Sequence, residues 1–139
     1  MSTLQIDNMQ VGDKLPTRTH LATAVGLFLY NAAIWNPHRI HYDAAYTTDV
    51  EGHPGVVIDG PLQGDWLSQV ALNWVADQGT LVRFSYSNRR AAYLGDVLSS
   101  GGQIIGVDKG TGCVDLELFI RNASGEIITP GSATIKLSA

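Results

Sequence analysis

The stretch DGPLQGDWLSQVALNWVADQG (59–79) carries the strongest helix signal in the chain. Leu62, Trp66, Val70 and Trp74 recur every four residues, and Leu67 and Ala71 widen the stripe, the spacing that gathers side chains on one face of a 3.6-residue helix. Pro61 suits the first turn, where its missing N–H has no helical partner to lose, and Gly79 suits the position just past the last turn. The expectation is a long helix with one buried face at the centre of the protein.

Downstream the period changes from helical to alternating. The runs TLVRFSYSNRR, DVLSSGGQIIGVDK, TGCVDLELFIRN and EIITPGSATIKL are divided by turn signals such as DKGTG and NASGE, the pattern of successive antiparallel strands. Val114, Leu116, Leu118 and Ile120 alternate with Asp115, Glu117, Phe119 and Arg121, which predicts one core face and one wetter face. Upstream, a short extended piece from Thr17 leads to a helix over Val25 to Ala33, capped by Thr23 or a neighbour. That helix is apolar almost all round and should be covered on most sides. A loop broken by Gly52, Pro54 and Gly55 then precedes the apolar run Val56, Val57, Ile58. Residues 1–10 lack a period and read as a loose arm, which Leu4, Ile6 and Met9 can pin to a neighbour.

A long apolar helix followed by several long strands buries both sets of hydrophobic groups if the sheet curls around the helix. This α+β arrangement, a single hotdog domain over residues 1–139, leaves an edge strand unpaired. Two copies joined into one continuous sheet would cover that edge, so a homodimer or a dimer of such dimers is expected.

Composition narrows the function classes. With 139 residues, 45% of them hydrophobic, the chain can bury a core without disulfides or metals. A formal charge of −4 without a Lys or Arg run speaks against a nucleic-acid binder, which needs cations to neutralise phosphates. The single cysteine, Cys113, excludes an internal disulfide and reads as a packed strand residue. LATAVGLFLYNAAIW (21–35) is interrupted by Asn31 and too short to span a bilayer. No membrane partner and a cytoplasmic location are therefore expected.

The polar segment NPHRIHYD (36–43) stands out because it holds two of the four histidines. Together with VGDKLP near the start and PGVVIDGPLQGDWL around the helix entry, it resembles, in order and spacing, the MaoC-like branch of hotdog proteins. The likeness is to the mesaconyl- and itaconyl-CoA hydratase-like and 3-hydroxyacyl-thioester dehydratase groups, and it runs from about residue 11 to the YLGD turn at 93–96 and weakly through the final strands. It implies reversible addition of water to a 2-enoyl thioester of CoA or acyl carrier protein. CoA or acyl carrier protein is then substrate carrier rather than cofactor, and no metal or redox group is implied.

In that family a loop histidine works with an Asp five residues before it. Matching His41 to the histidine puts Asn36 where the Asp belongs, and an amide can orient but supplies no opposing charge to an imidazolium. Asp43 or His38 would then be the second polar partner. The family also tends to place His before Gly-Pro-Leu, where this chain has Asp59. Gly60 remains, and its N–H at the positive helix end can meet the thioester oxygen as enolate charge develops. More loosely, HPGVVIDGPLQGD resembles bacterial β-hydroxyacyl-ACP dehydratases, which makes His53 and Asp65 an alternative pair.

Plainer roles stand beside these. Asp43 can order the DAAY turn, His38 can be an exposed turn residue, and His20 can pack or face water. Arg89 and Arg90 are candidates for CoA phosphates, or are simply solvated. Trp35 and Trp66 are candidates to wall an acyl tunnel, with core packing as the other reading. Two other functions are consistent with the sequence: a hotdog thioesterase using Asp65, and a non-catalytic acyl-binding subunit paired with an active homologue.

Overall fold

A computed structural model describes residues 3–138. The part of the expected arm at residues 1 and 2 lies outside the described residues. Strand β1 (Arg18–Leu21) is followed by helix α1 (Ala24–Ile34), a 3-10 turn (Arg39–His41), helix α2 (Ala44–Asp49) and helix α3 (Gly60–Val75). Four strands follow: β2 (Gly79–Tyr86), β3 (Val97–Asp108), β4 (Cys113–Arg121) and β5 (Ile127–Leu137).

All five strands form one antiparallel sheet in the order β1-β3-β4-β5-β2. The sheet curls about α3, which packs on β2, β3, β4 and β5. The alternation in β4 appears as expected: Val114, Leu116, Leu118 and Ile120 are fully buried. Gly102 lets β3 approach β4, since a Cβ there would lie 2.6 Å from the Glu117 carbonyl oxygen and 2.8 Å from Leu118 Cδ2. Gly102→Ala is accordingly expected to lower stability by about 2 kcal/mol, read as a drop in the denaturation midpoint with an unchanged m-value.

Several expectations need correction. The buried face of α3 is Gln63, Gly64, Leu67, Val70, Ala71 and Val75, whereas Leu62, Trp66 and Trp74 are only half-buried. The face is rotated because the sheet comes close enough to select small and polar residues: a Cβ on Gly64 would strike the Tyr86 ring. The helix stops at Ala76, in a positive-φ conformation, and Gly79 opens β2 instead of terminating α3. There Gly79 is required by close packing, since a Cβ would lie 2.6 Å from the Lys136 carbonyl oxygen.

Thr23 caps α1 as anticipated, accepting from Gly26 N–H at 3.0 Å. Within the single chain, however, only Leu27 and Asn31 of this helix are buried, while Val25, Phe28 and Leu29 are exposed. Trp35 is 91% exposed at the left-handed C-cap of α1 and is not a core residue. The N-terminal residues 4–9 lie against the body: Leu4, Ile6 and Met9 pack on the core, and Leu4 N–H donates to Gln78 Oε1.

Candidate active site

The segment 56–59 hangs between two loops. Val57 N–H donates to the Ile40 carbonyl (2.9 Å), Ile58 N–H to Ala92 (2.8 Å), and Leu94 N–H to Val56 (2.8 Å). These bonds hold the 3-10 turn of NPHRIHYD against the entry of α3. His41 is buried as a result. Its Nδ1 lies 2.8 Å from the Val57 carbonyl oxygen. A carbonyl only accepts, so in the neutral ring the hydrogen sits on Nδ1 and Nε2 carries the free lone pair.

That lone pair faces Asp59, whose Oδ1 is 3.6 Å from Nε2. Asp59 is completely buried. It occupies the N-cap position of α3 yet makes no side-chain cap. Its carboxylate turns instead toward α1 and the loop, accepting from Asn31 Nδ2 (2.9 Å, at Oδ2) and Asn36 Nδ2 (3.1 Å, at Oδ1). Both amides are fixed in orientation. Asn31 Nδ2 also donates to the Leu27 carbonyl, and Asn36 Oδ1 accepts from His38 N–H.

Nε2 and Oδ1 are therefore two acceptors at a separation longer than a hydrogen bond. Asp59 has no solvent-accessible surface and does not line the cavity that His41 reaches, so a water in that cavity meets the imidazole while the carboxylate stands behind the ring as its charge partner. The carboxylate beside His41 thus comes from position 59, while position 36 carries an amide. Asn36 bonds this carboxylate, not the imidazole. Sequence reasoning registered Asp59 only as a departure from the family pattern; the signal available was that both departures, Asn36 and Asp59, are an exchange of carboxylate between two positions.

His41, Gly60, Gln63, Asn88 and Arg89 line a cavity of about 290 Å³. As the first residue of α3, Gly60 has an N–H with no acceptor one turn back. A Cβ there would meet the end of the exposed Asn88 side chain, which lies over this glycine. A second, apolar groove of about 360 Å³ is lined by Phe28, Asn31, Ala32, Trp35, Asn36 and Tyr42.

The other candidates lie elsewhere or are otherwise engaged. Asp43 caps α2 through Tyr46 N–H and pairs with Arg39 at 2.7 Å; the Tyr46 N–H bond and then the Arg39 bond hold its carboxyl below the usual carboxylate range. His38 caps the 3-10 turn and its ring stands 5.8 Å from that of His41, so neither residue supplies the second polar partner of His41. His53 meets Tyr93, with Nδ1 3.5 Å from its hydroxyl. Asp65 is exposed and accepts from Tyr30 Oη at 2.8 Å; burial first, then this bond, raises the Tyr30 pKa. The structure does not join His53 and Asp65 as a pair, and neither lines the His41 cavity. Trp66 stacks on His20 at 4.3 Å, and His20 also meets Ser100 Oγ at 2.8 Å. Burial and then Arg18 lower the His20 pKa. Arg90 pairs with Glu126 at 3.0 Å, whereas Arg89 makes no ion pair among the described residues. Among those residues no cluster of three or more His, Cys, Asp or Glu is placed to hold a metal, and no helix is long and apolar enough to cross a membrane.

Comparison with known proteins agrees with this architecture. The sequence profile of the family described as hydroxyacyl-thioester dehydratase type 2 matches residues 5–94. The chain is 44% identical over 55 residues to mesaconyl-C(4)-CoA hydratase of Chloroflexus aurantiacus, a match covering 40% of this chain and 20% of that protein. It is 42% identical over 40 residues to the mitochondrial hydroxyacyl-thioester dehydratase type 2 of Schizosaccharomyces pombe, covering 29% of this chain and 13% of the relative. Both matches thus span a small part of the relatives' length. Among solved structures, the (R)-hydratase from A. caviae involved in PHA biosynthesis superposes with a TM-score of 0.85 at 17% identity, covering 94% of this chain and 98% of the other. A MaoC-like dehydratase gives 0.88 at 22% identity, covering 98% of this chain and 43% of that one. The ChsH1-ChsH2 complex from Mycobacterium tuberculosis gives 0.82 at 13% identity, over 93% and 98% of the two chains. The fold is the hotdog.

Proposed function

The chain belongs to the hydroxyacyl-thioester dehydratase type 2 family, and from that membership we propose that it adds water reversibly to a 2-enoyl thioester, with His41 and Asp59 as the pair that activates the water. The observation that carries this reading is the tautomer fixed by Val57, which leaves His41 Nε2 free and turned toward a buried carboxylate.

His41 Nε2 takes a proton from water as the oxygen bonds the β-carbon. The π electrons of the double bond move toward the α-carbon and the thioester oxygen, where the Gly60 N–H meets the developing negative charge. Asp59 opposes the positive charge of the imidazolium. The same proton then passes to the α-carbon, so the water's atoms are all accounted for and His41 returns to its starting state. Dehydration is the reverse path. Asn36 and Asn31 act through Asp59, holding its carboxylate in place. Arg89, at the cavity and without an ion pair among the described residues, is the better placed of the two arginines for a phosphate of CoA. Supply of the acyl group on CoA or on acyl carrier protein fits the same chemistry.

A homodimer accompanies this reading. The sheet ends in β1, four residues, and β2, eight residues, and β2 is the longer free edge for antiparallel extension by a second copy. Light scattering should then report twice the 14.9 kDa chain mass.

The test is loss of enoyl absorbance from crotonyl-CoA and longer or branched 2-enoyl-CoAs with purified protein. The expected result is hydration without release of free thiol. Thiol release with the double bond intact would instead make the protein a thioesterase, and binding without turnover until a homologue is added would make it a non-catalytic subunit.

A further inference from the structure

We propose that Gln63 is a further catalytic residue, its side-chain amide donating to the thioester oxygen beside the Gly60 N–H, and that Thr129 is the residue that positions it. This rests on the hydratase reading above. Gln63 lies one helical turn into α3 and is only 2% exposed, yet it lines the cavity that holds His41 and Gly60. Long polar side chains are rarely this buried without a purpose for each polar atom.

Its oxygen is already taken. Thr129 Oγ1 donates to Gln63 Oε1 at 2.5 Å, a fully buried contact. In this arrangement the hydroxyl gives its one hydrogen to Oε1, which only accepts, and the amide's two donors are at its other end. Nε2 has no protein partner among the described residues and is left to the cavity. It is a donor with two hydrogens in a space where negative charge develops on the substrate.

The sheet is built to present Thr129 at this spot. In the β4–β5 ladder Ile120 pairs with Thr129 but Arg121 pairs with Ile127, so Ile128 is the extra residue of a bulge. The freed Ile128 carbonyl accepts the N–H groups of Arg89 (3.0 Å) and Arg90 (3.2 Å), which ties the segment after β2 against β5 and sets Asn88 over Gly60. Thr129 Oγ1 also has a longer contact, 3.4 Å, with Asn88 Oδ1.

The experiment pairs turnover with a readout that needs no turnover. Carbonyl-labelled butyryl-CoA, which has no double bond to hydrate, is bound to wild type, Gln63→Met, Thr129→Val and Thr129→Ser, and its carbonyl stretch is followed by difference infrared spectroscopy. Wild type should lower the stretch, Gln63→Met should return it part of the way to the solution value, and Thr129→Ser should match wild type. On crotonyl-CoA, Gln63→Met should lose about 100-fold in kcat with little change in KM. Thr129→Val should lose about tenfold alone and nothing more when added to Gln63→Met, because it acts through that amide. A Gln63→Met protein that keeps both the shifted stretch and wild-type kcat overturns the proposal while leaving the hydratase reading intact. Wild type that lowers the stretch but never hydrates an enoyl-CoA overturns the hydratase reading alone. Wild type that fails to bind the probe, or binds it with an unshifted stretch, overturns the donor role directly.

Discussion

Replacing Asp59 with asparagine is expected to lower kcat for hydration of crotonyl-CoA by about 10³-fold. The substitution preserves shape but removes the charge that opposes the His41 imidazolium. It also places an NH₂ group against the donors that now serve the carboxylate, Asn31 Nδ2 at 2.9 Å and Asn36 Nδ2 at 3.1 Å. One of those donors must lose its acceptor, which costs about 1–3 kcal/mol of stability if it is the buried Asn31. Steady-state kinetics on protein shown to be folded by circular dichroism separates the two effects: the rate should fall far more than the folded fraction.

The second large effect is counterintuitive. Asn36→Asp restores the D-x4-H pattern of the family, yet here it is expected to damage the protein. The new carboxylate would face Asp59 Oδ1 across the present 3.1 Å contact, next to a carboxylate with no solvent exposure. Two carboxylates that close cannot both ionise, and the pair retains one proton. The sign follows from linkage. The shared proton raises a folded-state pKa above its unfolded value, so the variant matches wild type most closely in acid and loses stability as pH rises through the carboxylate range. At neutral pH the loss should be about 3 kcal/mol, measured by urea unfolding at several pH values. Activity should fall as well, because the proton retained by the pair removes charge that opposes the His41 imidazolium. An Asn36→Asp protein as stable at neutral pH as wild type would show that position 36 does not bond Asp59.

The contrast between these residues explains what the sequence made legible. Strand β4 could be read residue by residue because alternation is local, and the Thr23 cap of α1 likewise depends on three neighbouring residues. The inner face of α3 could be read only approximately. Gln63 and Gly64 are buried there, one with its hydrogen bond to Thr129 and the other for close approach of Tyr86, and neither carries a hydrophobic signal. Helix α1 has an apolar surface that the single chain leaves open, since what covers a face is not written in its own period.

The candidate site shows the same limit. His41 and Gly60 are visible through local motifs, but the environment of Asp59 is assembled from Asn31, Asn36 and His41, brought together by tertiary approach of α1, the loop and α3. An N-cap aspartate ordinarily bonds its own helix. Only the structure reveals that this one turns away.

The most direct measurement of the central claim is the crotonyl-CoA hydration rate of the His41→Ala and Asp59→Asn single variants and of the double variant, each confirmed folded. If the two residues act as a unit on one water, either change alone removes most of the catalysis, and the double variant should be within about twofold of the slower single variant. Losses that multiply, or a His41→Ala protein with undiminished turnover, would contradict the account.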